Sequence, residues 1–195
     1  MKVTYSAKAN ITHRTQQLED GRSVEVISLT QAEHAQDAQL VLEWSFPILD
    51  IAGRWHPNCR FDRSIKADWS YGEKSMSAVS APVISFFNEE GQNRGTFALS
   101  ETLKEVRMSL GVHEEDGTMN CMVVVSLGAL DSDCYELSLL CDDRNVRYEQ
   151  AIREVGLWWE KDCGLHPASV PESARKPMYS FWYSYHLQFT DEEVE

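Results

Sequence analysis

At 195 residues the chain is long enough to bury a substantial core and fits one domain, or one domain plus a fragment. Its 43% hydrophobic and 25% charged residues are ordinary for a globular protein, and a net charge of −13 argues against a nucleic-acid partner, which needs a Lys/Arg stripe to neutralise phosphates. No apolar run approaches the roughly 18–20 residues of a membrane span, and the first residues lack the apolar region of a signal peptide.

In chain order, Val24 to Leu29 and Leu40 to Phe46 are rich in β-branched, aromatic and apolar residues and predict strands. Val83 to Phe87 is a third, ended by Glu89-Glu90-Gly91. The clearest pattern alternates Val106, Met108, Leu110 and Val112 with Arg107, Ser109, Gly111 and His113, which is a strand with one buried face. Glu115-Asp116-Gly117 then supplies a hairpin signal. The returning strand, Met119 to Leu127, is apolar on both faces and is expected between two layers. Tyr135, Leu137, Leu139 and Cys141 continue the alternation. The expectation is an all-β fold, a large antiparallel β-sandwich.

The period changes after Asp142-Asp143. Tyr148, Ile152, Val155 and Trp159 share one face of a helix expected over about 146–163. Asp142 or Asp143 is the candidate cap, Lys161 lies in the last turn, and Gly164 is placed to end it. Three prolines then mark residues 166–177 as a linker, giving a sandwich domain over 1–165.

The acidic clusters Glu89/Glu90, Glu114/Glu115/Asp116, Asp131/Asp133 and Asp142/Asp143 all fall at expected turns, where acids are solvated or cap helices. None is read as the carboxylate pair of a glycosidase. The six histidines form no metal pattern, and neither a phosphate-binding glycine loop nor a nucleophile elbow is present. Five cysteines without C-x-x-C spacing predict reduced thiols and a cytoplasmic setting. No cofactor or metal is expected. Among six tryptophans, Trp44 and Trp159 suit core positions, whereas Trp55 and Trp69 flank a polar loop of arginines, amides and aromatics. Such a loop suits a neutral sugar, whose C–H faces pack on indole while amides and guanidinium groups bond its hydroxyls.

The segment Pro177-Met178-Tyr179-Ser180-Phe181-Trp182-Tyr183-Ser184-Tyr185-His186 resembles the P-x-Y-S-x-W-Y-S-F-H segment that opens the catalytic barrel of α-galactosidases in glycoside hydrolase family thirty-six. Ala67-Asp68-Trp69, Ser80-Ala81-Pro82-Val83 and Asn93-Arg94-Gly95-Thr96-Phe97-Ala98-Leu99-Ser100 are similar to motifs of the N-terminal domain of those enzymes. The resemblance runs from about Trp44 to Glu195, and Tyr185-His186-Leu187-Gln188 departs from the usual F-H-Q order.

The resemblance implies a β-sandwich of the supersandwich type packed on a (β/α)8 barrel, with residues 178–195 as the barrel's start and 178–185 as its first strand. It implies that Trp182 and Tyr183 line an α-galactoside pocket, joined by an N-terminal-domain tryptophan, with Trp55 the best match and Trp69 the second. The family's two catalytic aspartates lie on later barrel strands, and a barrel takes about 250 residues. The expectation is therefore that this chain alone does not hydrolyse α-galactosides, and that its partners are the sugar and the remaining barrel. Two other readings compete: a stand-alone carbohydrate-binding module, and a structural domain whose aromatic loop binds another subunit in a homo-oligomer.

Overall fold

The structure, a computed structural model, describes residues 1–76, 79–177 and Thr190. The chain divides into two compact units, Met1–Gly164 and Leu165–Glu195. In the second, the described residues hold one 3-10 turn, Glu172–Arg175, and no other regular secondary structure. The expected barrel strand over 178–185, with Trp182 and Tyr183, lies outside the described residues.

The first unit holds two antiparallel sheets and one helix. One sheet has five strands: β1 (Lys2–Tyr5), β4 (Gln39–Pro47), β10 (Thr118–Ser126), β9 (Glu105–His113) and β6 (Glu73–Ser75), in that spatial order. The other has six: β2 (Asn10–Gln17), β3 (Ser23–Thr30), β11 (Tyr135–Asp142), β8 (Asn93–Leu99), β7 (Val83–Phe87) and β5 (Gly53–Trp55). Alternation dictates the packing, because every second residue of a strand faces the same side. Leu40 and Leu42, Met108 and Leu110, and Val123 and Val125 come from the first sheet. They meet Ile27 and Leu29, Ile84 and Phe86, and Leu137 and Leu139 from the second, in one buried core. The hairpin between β9 and β10 forms as its sequence predicts: Gly117 takes φ +66°, and Asp116 accepts from the Thr118 amide and hydroxyl at 3.1 and 2.6 Å.

The helix α1 (Tyr148–Lys161) covers the outer face of the six-stranded sheet. Val155 and Trp158 pack on Val24, Val26, Val83, Ala98 and Leu140. Its buried face is Tyr148, Ala151, Val155 and Trp158, so the expected face was about one residue out of phase. Trp159 lies at its margin, and its indole donates to the Leu99 carbonyl at 2.8 Å.

Three further expectations need correction. Strand β10 is not enclosed between two layers. Its outward residues Asn120, Met122 and Val124 keep exposure, and Met122 is 40% exposed. The N-cap is Arg147, without a side-chain bond, so neither Asp142 nor Asp143 caps the helix. Nor is Asp142 a solvated turn acid: it is 2% exposed and accepts from Arg144 Nε and Nη2 at 2.9 and 2.7 Å. Arg144 also pairs with Glu154 of α1, tying helix to sheet. No helix among the described residues is long and apolar enough to cross a membrane.

Candidate functional site

Between β5 and β6 the chain makes an excursion over residues 56–72, pinned at both ends. Arg54, 4% exposed, donates from Nε to the Ser64 carbonyl at 3.0 Å and from Nη2 to Glu73 at 2.7 Å. His56 Nε2 stands 3.3 Å from the same Glu73 oxygen, and burial holds its imidazole below the ordinary 6.5 against the pull of that carboxylate. Asp62 accepts from the Ser64 amide at 3.0 Å and from Lys66 Nζ at 2.7 Å, which drives its carboxyl well below the usual range. Arg63 donates to the Tyr148 hydroxyl at 2.9 Å and lies over the rings of Tyr148 and Phe87. Each buried polar group here is partnered, so the loop is a constructed element rather than slack chain.

Past Lys66 the chain docks on the edge of β9. The Val112 amide donates to the Lys66 carbonyl at 2.8 Å, and the Asp68 amide donates to the Val112 carbonyl at 2.9 Å. Asp68 then reaches across the sheet, with Oδ2 2.7 Å from His113 Nδ1 and accepting from Asn120 Nδ2 at 3.0 Å. The bond from His113, followed by that from Asn120, holds the Asp68 carboxyl below its ordinary 3.8. In return Asp68, then Asp116 and Glu115, raises the His113 imidazole above 6.5. Ser70 closes a turn, its hydroxyl donating to the Ala67 carbonyl at 2.7 Å.

From this anchored base three aromatic side chains stand in solvent: Phe61 at 100%, Trp69 at 84% and Tyr71 at 94% exposure. Single exposed apolar residues need no explanation, but three on one tightly hydrogen-bonded loop do. Beside Asp68 is an open cleft of about 400 Å³, edged by Glu43, Ser45, Ser109, Asn120 and Met122 on the outer face of the five-stranded sheet.

The structure therefore separates the two tryptophans of the loop. Trp69 is presented to solvent, whereas Trp55 is half-buried and packs in the layer between the six-stranded sheet and α1. Tyr71, His113 and Asn120 join the site without having been singled out from sequence. The signal for His113 was its place on the polar side of an alternating strand. Among the described residues no cluster of three or more His, Cys, Asp or Glu side chains is arranged to hold a metal ion.

The anchor has a pH signature. Because the His113 value is raised in the folded state, its contribution is complete below the unfolded value of 6.5 and is lost as pH rises through the folded value. The Asp68 contribution, with a depressed value, is lost as pH falls through its folded value below 3.8. Docking of the loop is thus firmest between those limits. A proton NMR titration is expected to place the His113 midpoint above 6.5, and Asp68→Asn to bring it down towards 6.5. An unchanged midpoint in the variant would mean the pair does not form.

No family model, curated protein or solved structure matches the chain.

Proposed function

We propose that this chain is the non-catalytic N-terminal β-sandwich of an α-galactosidase-like glycoside hydrolase, which packs on a catalytic barrel and contributes an aromatic loop to the binding of an α-galactoside. The observation that carries the reading is the exposure of Trp69 and Tyr71 on a loop fixed by Asp68 to His113 and Asn120. Indole and phenol faces suit the C–H face of a pyranose, and neighbouring carboxylate, amide and hydroxyl groups suit its hydroxyls. Ala67-Asp68-Trp69, one of the motifs behind the resemblance, makes up this anchored turn. Trp69 is thus favoured over Trp55 as the sugar-facing tryptophan, with Trp182 and Tyr183 contributing from the barrel side. A reducing, cytoplasmic setting is part of the reading, supported by five cysteines that are all free thiols.

Translation of the coding sequence beyond Glu195 is the direct test. A barrel carrying two catalytic aspartates is expected there, and a stop codon at that point would overturn the assignment to a hydrolase. A stand-alone carbohydrate-binding sandwich is the second reading, favoured by the cleft beside Asp68 being formed within one unit. It requires saturable binding of melibiose by this chain alone.

Both sugar-binding readings share one expectation. Trp69→Ala weakens α-galactoside binding by about 1–3 kcal/mol, roughly 5- to 150-fold, with the melting temperature unchanged. Trp55→Ala instead lowers stability by about 2–4 kcal/mol, because it opens the layer beneath α1. Calorimetry of both variants decides it, and unchanged affinity in Trp69→Ala would remove the loop from the sugar site.

A further inference from the structure

The six-stranded sheet ends on β2, and that strand is bare on both faces: all eight of its residues are exposed. The direction of its backbone groups follows from the turn that joins it to β3, where the Leu18 amide donates to the Arg22 carbonyl at 2.8 Å. Backbone bonding alternates along an antiparallel ladder, so Gln16, Arg14, Thr12 and Asn10 also bond to β3. The amides and carbonyls of Ile11, His13, Thr15 and Gln17 therefore point outward. None of these groups bonds to another described residue.

The other sheet edges are protected by shortness, since β1 has four residues and β5 and β6 have three each. Strand β2 has none of the features that keep an edge single: no proline, no lysine and no bulge in its register. Its charge is equally unusual for this chain. Acids outnumber bases by 31 to 18, which repels one copy from another. Yet β2 carries no carboxylate, and Glu25 beside it on β3 is engaged by His13 and, at 2.9 Å, by the Thr15 hydroxyl. The repulsion is thus kept off the one long open edge.

We infer that β2 is the seam of a homodimer, pairing antiparallel with β2 of a second copy so that the two six-stranded sheets run on as one. A two-fold axis across such a pair sets one residue opposite itself. On Arg14 it would oppose two guanidinium groups, which is unfavourable. On Thr15 it would leave uncovered Ile11, the strand's sole apolar side chain, which is 39% exposed. On His13 it sets Ile11 opposite Thr15, Thr12 opposite Arg14 and Asn10 opposite Gln16, with no like charges facing. The outward groups of Ile11, His13 and Thr15 then bond to those of the other copy. The seam is a ladder of main-chain bonds that buries little apolar surface, so the dimer is weak and concentration-dependent. It uses no residue of the aromatic loop and stands independently of the sugar-binding reading.

Sedimentation equilibrium and amide hydrogen exchange of the full chain, each over a range of concentrations, test the seam together. The average mass is expected to rise from monomer towards dimer. Over the same range the His13 and Thr15 amides are expected to slow at least fivefold, while Thr12, Arg14 and Gln16, already bonded to β3, stay as they were. Ile11→Pro removes an outward N–H that the ladder to β3 does not use, and proline is tolerated at such an edge position. It is expected to weaken association about tenfold or more with the melting temperature little changed. A chain that stays monomeric up to millimolar concentration would overturn the seam, as would a dimer whose His13 and Thr15 amides exchange no more slowly than in the monomer. Undiminished association of Ile11→Pro would overturn it too, by placing the contact on another surface such as the aromatic loop. Should that variant fold poorly, the exchange pattern of the unaltered chain decides alone.

Discussion

Replacing Asn93 with alanine is expected to lower the stability of the sandwich by about 4 kcal/mol, a fall of roughly 8–16 °C in melting temperature for a domain of this size. Asn93 is fully buried at the start of β8. Its Nδ2 donates to the Asp142 carbonyl at 2.9 Å and the Arg144 carbonyl at 3.1 Å. Its Oδ1 accepts from the Gly95 amide at 3.2 Å and the Thr96 hydroxyl at 2.8 Å. One side chain thus satisfies the carbonyl that ends β11, a second in the turn after it, and two donors of its own strand. Alanine leaves all four without that partner, and a buried polar group without a partner costs about 1–3 kcal/mol. Thr96 retains the Ser85 hydroxyl 2.7 Å away, which keeps the loss below the sum. Thermal unfolding of the variant is the measurement, and a loss under about 1 kcal/mol would show that water replaces the amide.

The second large effect separates two adjacent tryptophans. Trp158→Ala is expected to cost about 3–5 kcal/mol, because a ring 3% exposed is removed from the layer joining α1 to the sheet. Trp159→Phe is expected to cost about 1 kcal/mol, since it keeps most of the ring and loses the one bond to Leu99. Denaturant titration of both resolves the order. Equal losses would mean that α1 is rotated from the face described.

That pair also shows how far the sequence could be read. Tyr148 and Val155 were identified as helix-face residues, but a face built on Ile152 and Trp159 is nearly indistinguishable by period from one built on Ala151 and Trp158. Packing against Val24, Val83 and Leu140 settles it, and none of those is local. Strands with one buried face, such as β9 and β11, were legible because burial imposes alternation. Strand β2 was not, since all eight of its residues are exposed and it is held by its ladder to β3. The three-residue strands β5 and β6 are too short to show a period. The candidate site was half legible: Asp68-Trp69 stood out as a motif, but the partners of Asp68 are 45 and 52 residues away. Register alone brings them near one another, with His113 opposite Thr118 and Asn120 opposite Gly111.

Beneath the exposed rings lie two positions that admit only hydrogen. A Cβ on Gly111 would come within 2.4 Å of the Ala67 backbone, and one on Gly72 within 2.7 Å of the Met108 carbonyl oxygen. Substitutions in this loop are consequently expected to fall into two tiers. Phe61, Trp69 and Tyr71 bury little surface and can be exchanged at small cost to folding, while any side chain at Gly72 or Gly111 lifts the loop from its seat. Selection can thus alter what the loop touches without renegotiating how it is held, so long as those two glycines stay as they are.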